Sequence, residues 1–67
     1  MSQFAVYGLK NDSVSTLASW GELGKISALQ KAIESNSSGY YDYVVVEWRW
    51  ENQNEWGTLV RLIPSDT

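Results

Sequence analysis

The sequence predicts a small α+β domain in which one helix packs on an antiparallel sheet of three or four strands, in two layers and in the order β-β-α-β-β. Three observations predict it: segments rich in β-branched and aromatic residues at both ends of the chain, one segment of helical spacing between them, and a length of 67 residues, which leaves room for a single core. We therefore expect residues 1–67 to form one domain. The sequence does not determine the order of the strands in the sheet.

The first two strands are predicted at the N-terminal end. Residues Gln3 to Leu9 (QFAVYGL) combine aromatic and β-branched side chains and end at the polar run Lys10 to Ser13, which is typical of a turn. Residues Val14 to Trp20 (VSTLASW) alternate weakly between apolar and polar side chains. We favour a short strand there, paired with the first as a hairpin, and a loop is the alternative.

One helix is predicted from Glu22 to Asn36, because the apolar residues recur there in steps of three and four. Ser19 followed three residues later by Glu22 is the pattern of a capping box, and Gly39 follows a run of Asn and Ser that suits a C-terminal cap. The helix face that we expect to pack on the sheet consists of Leu23, Ile26, Leu29 and Ile33.

The last two strands are predicted as a hairpin of Tyr40 to Glu51 (YYDYVVVEWRWE) and Trp56 to Ile63 (WGTLVRLI), with Pro64 ending the second strand. If Trp50 lies opposite Trp56, one face is almost wholly apolar and turns toward the helix. That face pairs Trp48 with Thr58, Val46 with Val60 and Val44 with Leu62. The other face is mixed, and a two-layer fold leaves it uncovered; it carries Tyr41, Tyr43, Val45, Glu47, Arg49, Gly57, Leu59, Arg61 and Ile63.

Composition excludes several kinds of chemistry. The chain has neither Cys nor His, which removes disulfides, the common zinc sites and the usual nucleophilic triads. The carboxylates Glu47, Glu51 and Glu55 beside the last hairpin are interpreted as solubilising charges, because so small a domain has little material for a cleft that excludes water. No loop has the ligand spacing of a calcium site. We therefore expect a protein that is not an enzyme and that holds no cofactor or metal.

Charge and hydropathy indicate where the protein acts. The net charge is −3 and the five basic residues are scattered, which argues against direct binding of double-stranded nucleic acid. No apolar run has the length of a membrane span, and the N-terminus lacks the pattern of a signal peptide. These features predict a cytoplasmic protein without a membrane partner.

The surplus of aromatic residues around the last hairpin is the feature that indicates function. Trp48 and Trp50 are interpreted as core residues, whereas the mixed face is rich in aromatic residues and Arg and poor in Lys, as protein interfaces are. The predicted binding residues are Tyr41, Tyr43, Val45, Glu47, Arg49, Trp56, Leu59 and Arg61.

These residues predict a small non-catalytic domain that docks on another protein as an inhibitor or adaptor. Two alternatives stay open: a homodimer that uses the same face, and an aromatic platform for sugar or for single-stranded nucleic acid. In size and class the chain resembles many phage-encoded inhibitors of host enzymes and defence systems. That resemblance covers no shared motif, and it favours an inhibitor over an adaptor.

Overall fold

The computed structural model describes residues 2–18 and 24–64. These residues form four strands and one helix in the predicted order, and the strands make one antiparallel sheet in the order β2-β1-β3-β4. The α+β class is thereby confirmed. The described part of the chain contains no helix of the length and apolarity needed to cross a membrane. The elements are β1 (Ser2–Lys10), β2 (Ser13–Ala18), α1 (Lys25–Ser37), β3 (Tyr43–Trp50) and β4 (Gly57–Leu62).

The N-terminal hairpin closes through a two-residue turn. Asn11 and Asp12 have φ angles of 49° and 66°, in the left-handed region that Asn and Asp tolerate and that matches the twist of a hairpin. The backbone N–H of Asn11 donates to Asp42 Oδ2 at 2.9 Å, which fixes the turn beside the start of β3. The hairpin interpretation of this segment is confirmed, and Trp20 and the predicted capping box of Ser19 and Glu22 lie outside the described residues.

The helix packs on the sheet through small side chains. Ala28 and Ala32 are fully buried against the central valines Val6, Val44 and Val46. Because each alanine has only a methyl group, the helix can lie close to the β-branched residues of β1 and β3. The fully buried part of this core cluster therefore comes from the helix and the two innermost strands.

The predicted packing face of the helix is wrong in part. Ile26 and Ile33 are 72% and 58% exposed, so neither is a core residue, whereas Leu29 packs on the core as expected. The reason is that Ala28 and Ala32, four residues apart, turn their own side of the helix toward the sheet, and this moves Ile26 and Ile33 to the outer side. The fourth predicted residue, Leu23, lies outside the described residues.

The register of the last hairpin agrees with the prediction at one end and differs at the other. Val44 pairs with Leu62 and Val46 with Val60 as predicted. A bulge then shifts the pairing by one residue, so that Trp48 lies opposite Gly57 instead of Thr58. A Cβ atom on Gly57 would lie 3.4 Å from Trp48 Nε1, which is an ordinary contact, so Gly57 and the Trp48 indole are neighbours across the hairpin. Trp48 also makes an edge-to-face contact with Trp50, with ring centroids 5.6 Å apart. The interpretation of these two residues as core residues is wrong, because Trp50 is 48% exposed, Trp48 is only half-buried and neither packs on the buried core.

Candidate functional site

The side of the sheet that faces away from α1 forms an open groove of about 300 Å³. Because side chains alternate along a strand, β1 and β3 send to this side the residues between those that pack on the helix. We call this side the open face. The groove crosses all four strands and is lined by Tyr7, Leu9, Val14, Tyr43, Val45, Glu47, Thr58 and Arg61.

The centre of the groove is built by cross-strand pairs. Tyr7 of β1 lies opposite Val45 of β3, and Leu9 lies opposite both Tyr43 of β3 and Val14 of β2. Such pairs of aromatic and aliphatic side chains stabilise a sheet, and here they also give the open face an apolar floor. Val14 is 61% exposed, so the groove reaches the outer edge of the sheet at β2.

Six of the eight predicted binding residues lie on or beside the open face. Tyr43, Val45, Glu47 and Arg61 line the groove itself. Arg49 follows Glu47 in the alternation of β3, and its guanidinium carbon lies 4.7 Å from the centroid of the Trp56 ring. Arg49 and Trp56 therefore belong to the end of the open face that lies nearest the last loop.

Tyr41 is not part of the open face, contrary to the prediction. Its ring packs against the buried core, and a Cβ atom placed on Gly8 would come within 2.5 Å of it. Gly8 pairs with the buried Val44, so Tyr41 lies on the side of the sheet that holds the helix. The prediction failed because β3 begins at Tyr43, so the strand alternation does not extend back to Tyr41.

Leu59 is the residue that the bulge displaces. It has no cross-strand partner in the register of β3 and β4, and Thr58 takes the position opposite Glu47 on the open face. The expected order of side chains on this edge therefore does not hold. The sequence analysis missed four site residues: Tyr7, Leu9, Val14 and Thr58. The first three lie in the groove because β1 is between β2 and β3 in the sheet. Thr58 lies there because of the bulge, which no residue pattern indicated.

The charges of the open face differ in sign from those of the whole chain. Among the residues that the four strands place on this side, one carboxylate, Glu47, and two guanidinium groups, Arg49 and Arg61, give a formal charge of +1, whereas the chain carries −3. Among the described residues, Glu47 forms no ion pair within 4.0 Å.

Both arginines of the open face are held in place by their neighbours. The guanidinium carbon of Arg61 lies 4.9 Å from the centroid of the Tyr43 ring. Arg49 Nε donates a hydrogen bond of 2.7 Å to Gln3 Oε1, on the residue directly opposite in β1. These contacts restrain two long side chains before any ligand arrives, which lowers the entropy cost of binding through them.

The pKa of Tyr7 is changed by burial and by the charges around the groove. Burial raises the pKa of its phenol above the ordinary value of 10.0, the Glu47 carboxylate raises this pKa further, and the Arg49 guanidinium offsets part of the increase. Tyr7 therefore stays neutral, as a hydrogen-bond donor, at physiological pH. Because its pKa is higher in the folded state than in the unfolded state, its contribution to stability is present below pH 10.0 and is lost as the pH rises through the folded pKa.

Replacing Glu47 with Gln is expected to lower the pKa of Tyr7 while leaving it above 10.0, since burial is the largest cause of the increase. Replacing Arg49 with Gln is expected to raise that pKa. Titration of the Tyr7 ring carbon resonances by NMR measures both shifts. An unchanged or higher Tyr7 pKa in the Glu47→Gln variant would show that the two side chains do not share the groove.

No protein-family model matches the chain, and the comparisons with curated proteins and with solved structures found no match either. The open face must therefore be interpreted from its own chemistry.

Proposed function

We propose that this chain is a small non-catalytic domain that docks on another protein through the open face of its sheet. The observation that carries the proposal is that the helix packs on one side of the sheet, while the other side holds a groove lined by Tyr7, Tyr43 and Val45 with arginines at its rim. Tyr and Arg are the residues over-represented among those that dominate the energy of protein interfaces.

The shape and charge of the open face define the partner it suits. The apolar floor of the groove accommodates an aliphatic or aromatic side chain, and Arg49 and Arg61 favour acidic groups around it. A positive patch on an acidic chain also orients the approach of such a partner, because the rest of the surface repels it. The partner surface is therefore a protruding apolar residue with carboxylates beside it.

A binding protein this small is expected to act by covering a functional surface of its partner. We therefore propose a cytoplasmic inhibitor, of the kind that phages encode against host enzymes and defence systems, with an adaptor as the alternative. The small size of the chain, its acidic charge and the pre-positioned arginines of the open face support the inhibitor, which needs a rigid surface more than it needs a second binding site.

A stacking platform for sugars or nucleic-acid bases is less well supported. One face of the Tyr43 ring is taken by Arg61, and one face of the Trp56 ring is taken by Arg49. A base or sugar ring would have to displace a guanidinium group or use the opposite ring face. Protein docking requires neither, since the arginines can bind the partner from where they lie.

Replacing Tyr43 or Arg61 with Ala is expected to weaken the complex by at least about tenfold, as loss of an interface hot spot does. The partner is first captured from cells with the wild-type chain and purified, and its affinity for each variant is then measured by calorimetry. Replacing Gln30, an exposed residue of α1, with Ala is the matched control and should leave the affinity unchanged.

The thermal melts of the open-face variants are expected to stay close to wild type, because Tyr43 and Arg61 lie outside the buried core. Unchanged affinity in both variants, with the fold intact, would refute docking through the open face. Loss of binding in the Gln30→Ala control would instead place the contact on the helix.

A further inference from the structure

Arg49 is held at one end of the open face by two contacts of different kinds. Its Nε donates a hydrogen bond of 2.7 Å to Gln3 Oε1, on the residue directly opposite in β1. Its guanidinium carbon lies 4.7 Å from the centroid of the Trp56 ring. Arg61, the other arginine of this face, is exposed and lies over the Tyr43 ring, and it makes no hydrogen bond within the described part of the chain. Arg49 is therefore the more firmly positioned cation.

The contact with Gln3 determines which edge of the Arg49 guanidinium remains for a further acceptor. A guanidinium offers two forks of N–H groups to a carboxylate, one from Nε with one Nη and one from the two Nη atoms. Since Gln3 takes the Nε–H, the first fork is blocked. Within residues 2–18 and 24–64, no acceptor bonds to Nη1 or Nη2 of Arg49. The fork of the two Nη atoms is therefore the edge that Arg49 presents.

Gln3 holds Arg49 without neutralising its charge. Because an arginine Nε can only donate, the amide oxygen of Gln3 must face it, and the amide NH2 group is turned away. The hydrogen bond runs between neighbouring strands at the centre of the sheet and is partly buried, which strengthens it relative to a bond in water. A neutral acceptor thus fixes the guanidinium and leaves its positive charge for a ligand.

We propose that Arg49 is a carboxylate-binding site, in which the two Nη groups take an Asp or Glu side chain of the partner end-on and Gln3 is a positioning residue. The inference rests on the proposed docking through the open face. The two oxygens of a carboxylate lie in one plane and match the two N–H groups of the fork. Charge complementarity supports an acidic ligand, because the strand residues of this face sum to +1 on a chain of −3.

A carboxylate suits this position better than a phosphate monoester. Glu47 precedes Arg49 by two residues on the same side of β3, about 7 Å away between Cα atoms. A phosphate monoester carries close to two negative charges at neutral pH, whereas a carboxylate carries one. Because Coulomb repulsion is proportional to charge, Glu47 disfavours the phosphate more strongly.

Replacing Gln3 with Glu tests the site, because Glu has the same shape and adds one negative charge beside Arg49. The probe is sodium acetate, titrated against sodium chloride at constant ionic strength, and the Arg49 side-chain N–H resonances are followed by ¹⁵N NMR. In the variant the new carboxylate should pair with Arg49, so the dissociation constant for acetate should rise by at least about threefold. Gln30→Glu, the same change at an exposed position of α1, is the matched control and should leave acetate binding unchanged.

The positioning role of Gln3 has its own spectroscopic readout. The Nε–H proton of Arg49 should exchange slowly with water in the wild-type chain, and Gln3→Leu, which removes the acceptor at similar size, should speed the exchange by about fivefold. Exchange that is unchanged in Gln3→Leu would overturn the positioning role. Arg49→Lys keeps the charge and loses the fork, so it should weaken binding of acetate and of the captured partner by about threefold or more.

The outcomes separate this site from the docking on which it rests. No saturable acetate shift at Arg49, an unchanged acetate affinity in Gln3→Glu or in Arg49→Lys, or tighter binding of inorganic phosphate than of acetate would each overturn the carboxylate site. Failure of the docking itself gives a different result: Tyr43→Ala would leave the affinity for the captured partner unchanged, while acetate still binds at Arg49.

Discussion

Replacing Gly8 with alanine is expected to lower the free energy of unfolding by about 1 to 3 kcal/mol, the usual cost of overfilling a packed site. The Tyr41 ring lies directly over this glycine, and a Cβ atom would come within 2.5 Å of Cδ1, 2.6 Å of Cε1 and 2.9 Å of Cγ. Because Cγ is the inner end of the ring, a small rotation cannot relieve the contact, and the ring must leave the core. Urea unfolding followed by tryptophan fluorescence measures the loss.

Gly57 provides the matched control for Gly8. It is also a strand glycine, but a Cβ atom there would meet Trp48 Nε1 at 3.4 Å, an ordinary contact, so Gly57→Ala should change stability by less than about 0.5 kcal/mol. Removing the ring tests the cause: in a Tyr41→Ala background the added cost of Gly8→Ala should vanish. An equal cost in both backgrounds would mean that Tyr41 does not lie over Gly8.

Replacing Ala32 with leucine is expected to destabilise the fold by about 1 to 3 kcal/mol, because the larger side chain cannot fit between the helix and the sheet. Ala32 is fully buried against valines of the two central strands. Its neighbour Ile33 is 58% exposed, so Ile33→Ala should cost less than about 0.5 kcal/mol. Thermal and urea unfolding of the two variants give the comparison.

The two helix substitutions also discriminate between orientations of α1. With the isoleucines inside, truncating Ile33 would leave a cavity and Ala32→Leu would be tolerated. That reversed pattern would contradict the packing described for the helix. Helix propensity does not explain a loss of stability in the Ala32→Leu variant, since alanine and leucine both favour helices and differ little in this respect.

Much of the fold could be predicted from the sequence, because alternation and helical spacing are local signals. The polar run from Lys10 to Ser13 marked the first turn, and the change of period before Leu29 marked the helix. The side of the helix that faces the sheet could not be predicted from hydrophobicity alone. Hydrophobicity favoured Ile26 and Ile33 as core residues, whereas the small volume of Ala28 and Ala32 decided which side could approach the sheet.

The candidate site could be predicted only within the last hairpin. Tyr43, Val45 and Glu47 were assigned to one face because they alternate within β3. Tyr7 and Val14 join them only because β1 pairs with β3 from Ser2 to Leu9 and with β2 on its other side, and the β1–β3 pairing is a long-range contact that the sequence does not encode locally. The bulge after Val46 displaced Leu59 from the predicted register, and it too is a feature of the pairing between β3 and β4 that the residues of one strand do not indicate.

Site-specific photo-crosslinking tests recognition through the open face most directly. A benzoylphenylalanine placed at Tyr43 keeps an aromatic ring in the groove, and the same group at Ile33 occupies an exposed position on the opposite side of the sheet. Irradiation in the cells that make the protein should link the Tyr43 position to one discrete partner protein and the Ile33 position to none. Crosslinks from Ile33 with none from Tyr43 would show that recognition takes place on the helix side.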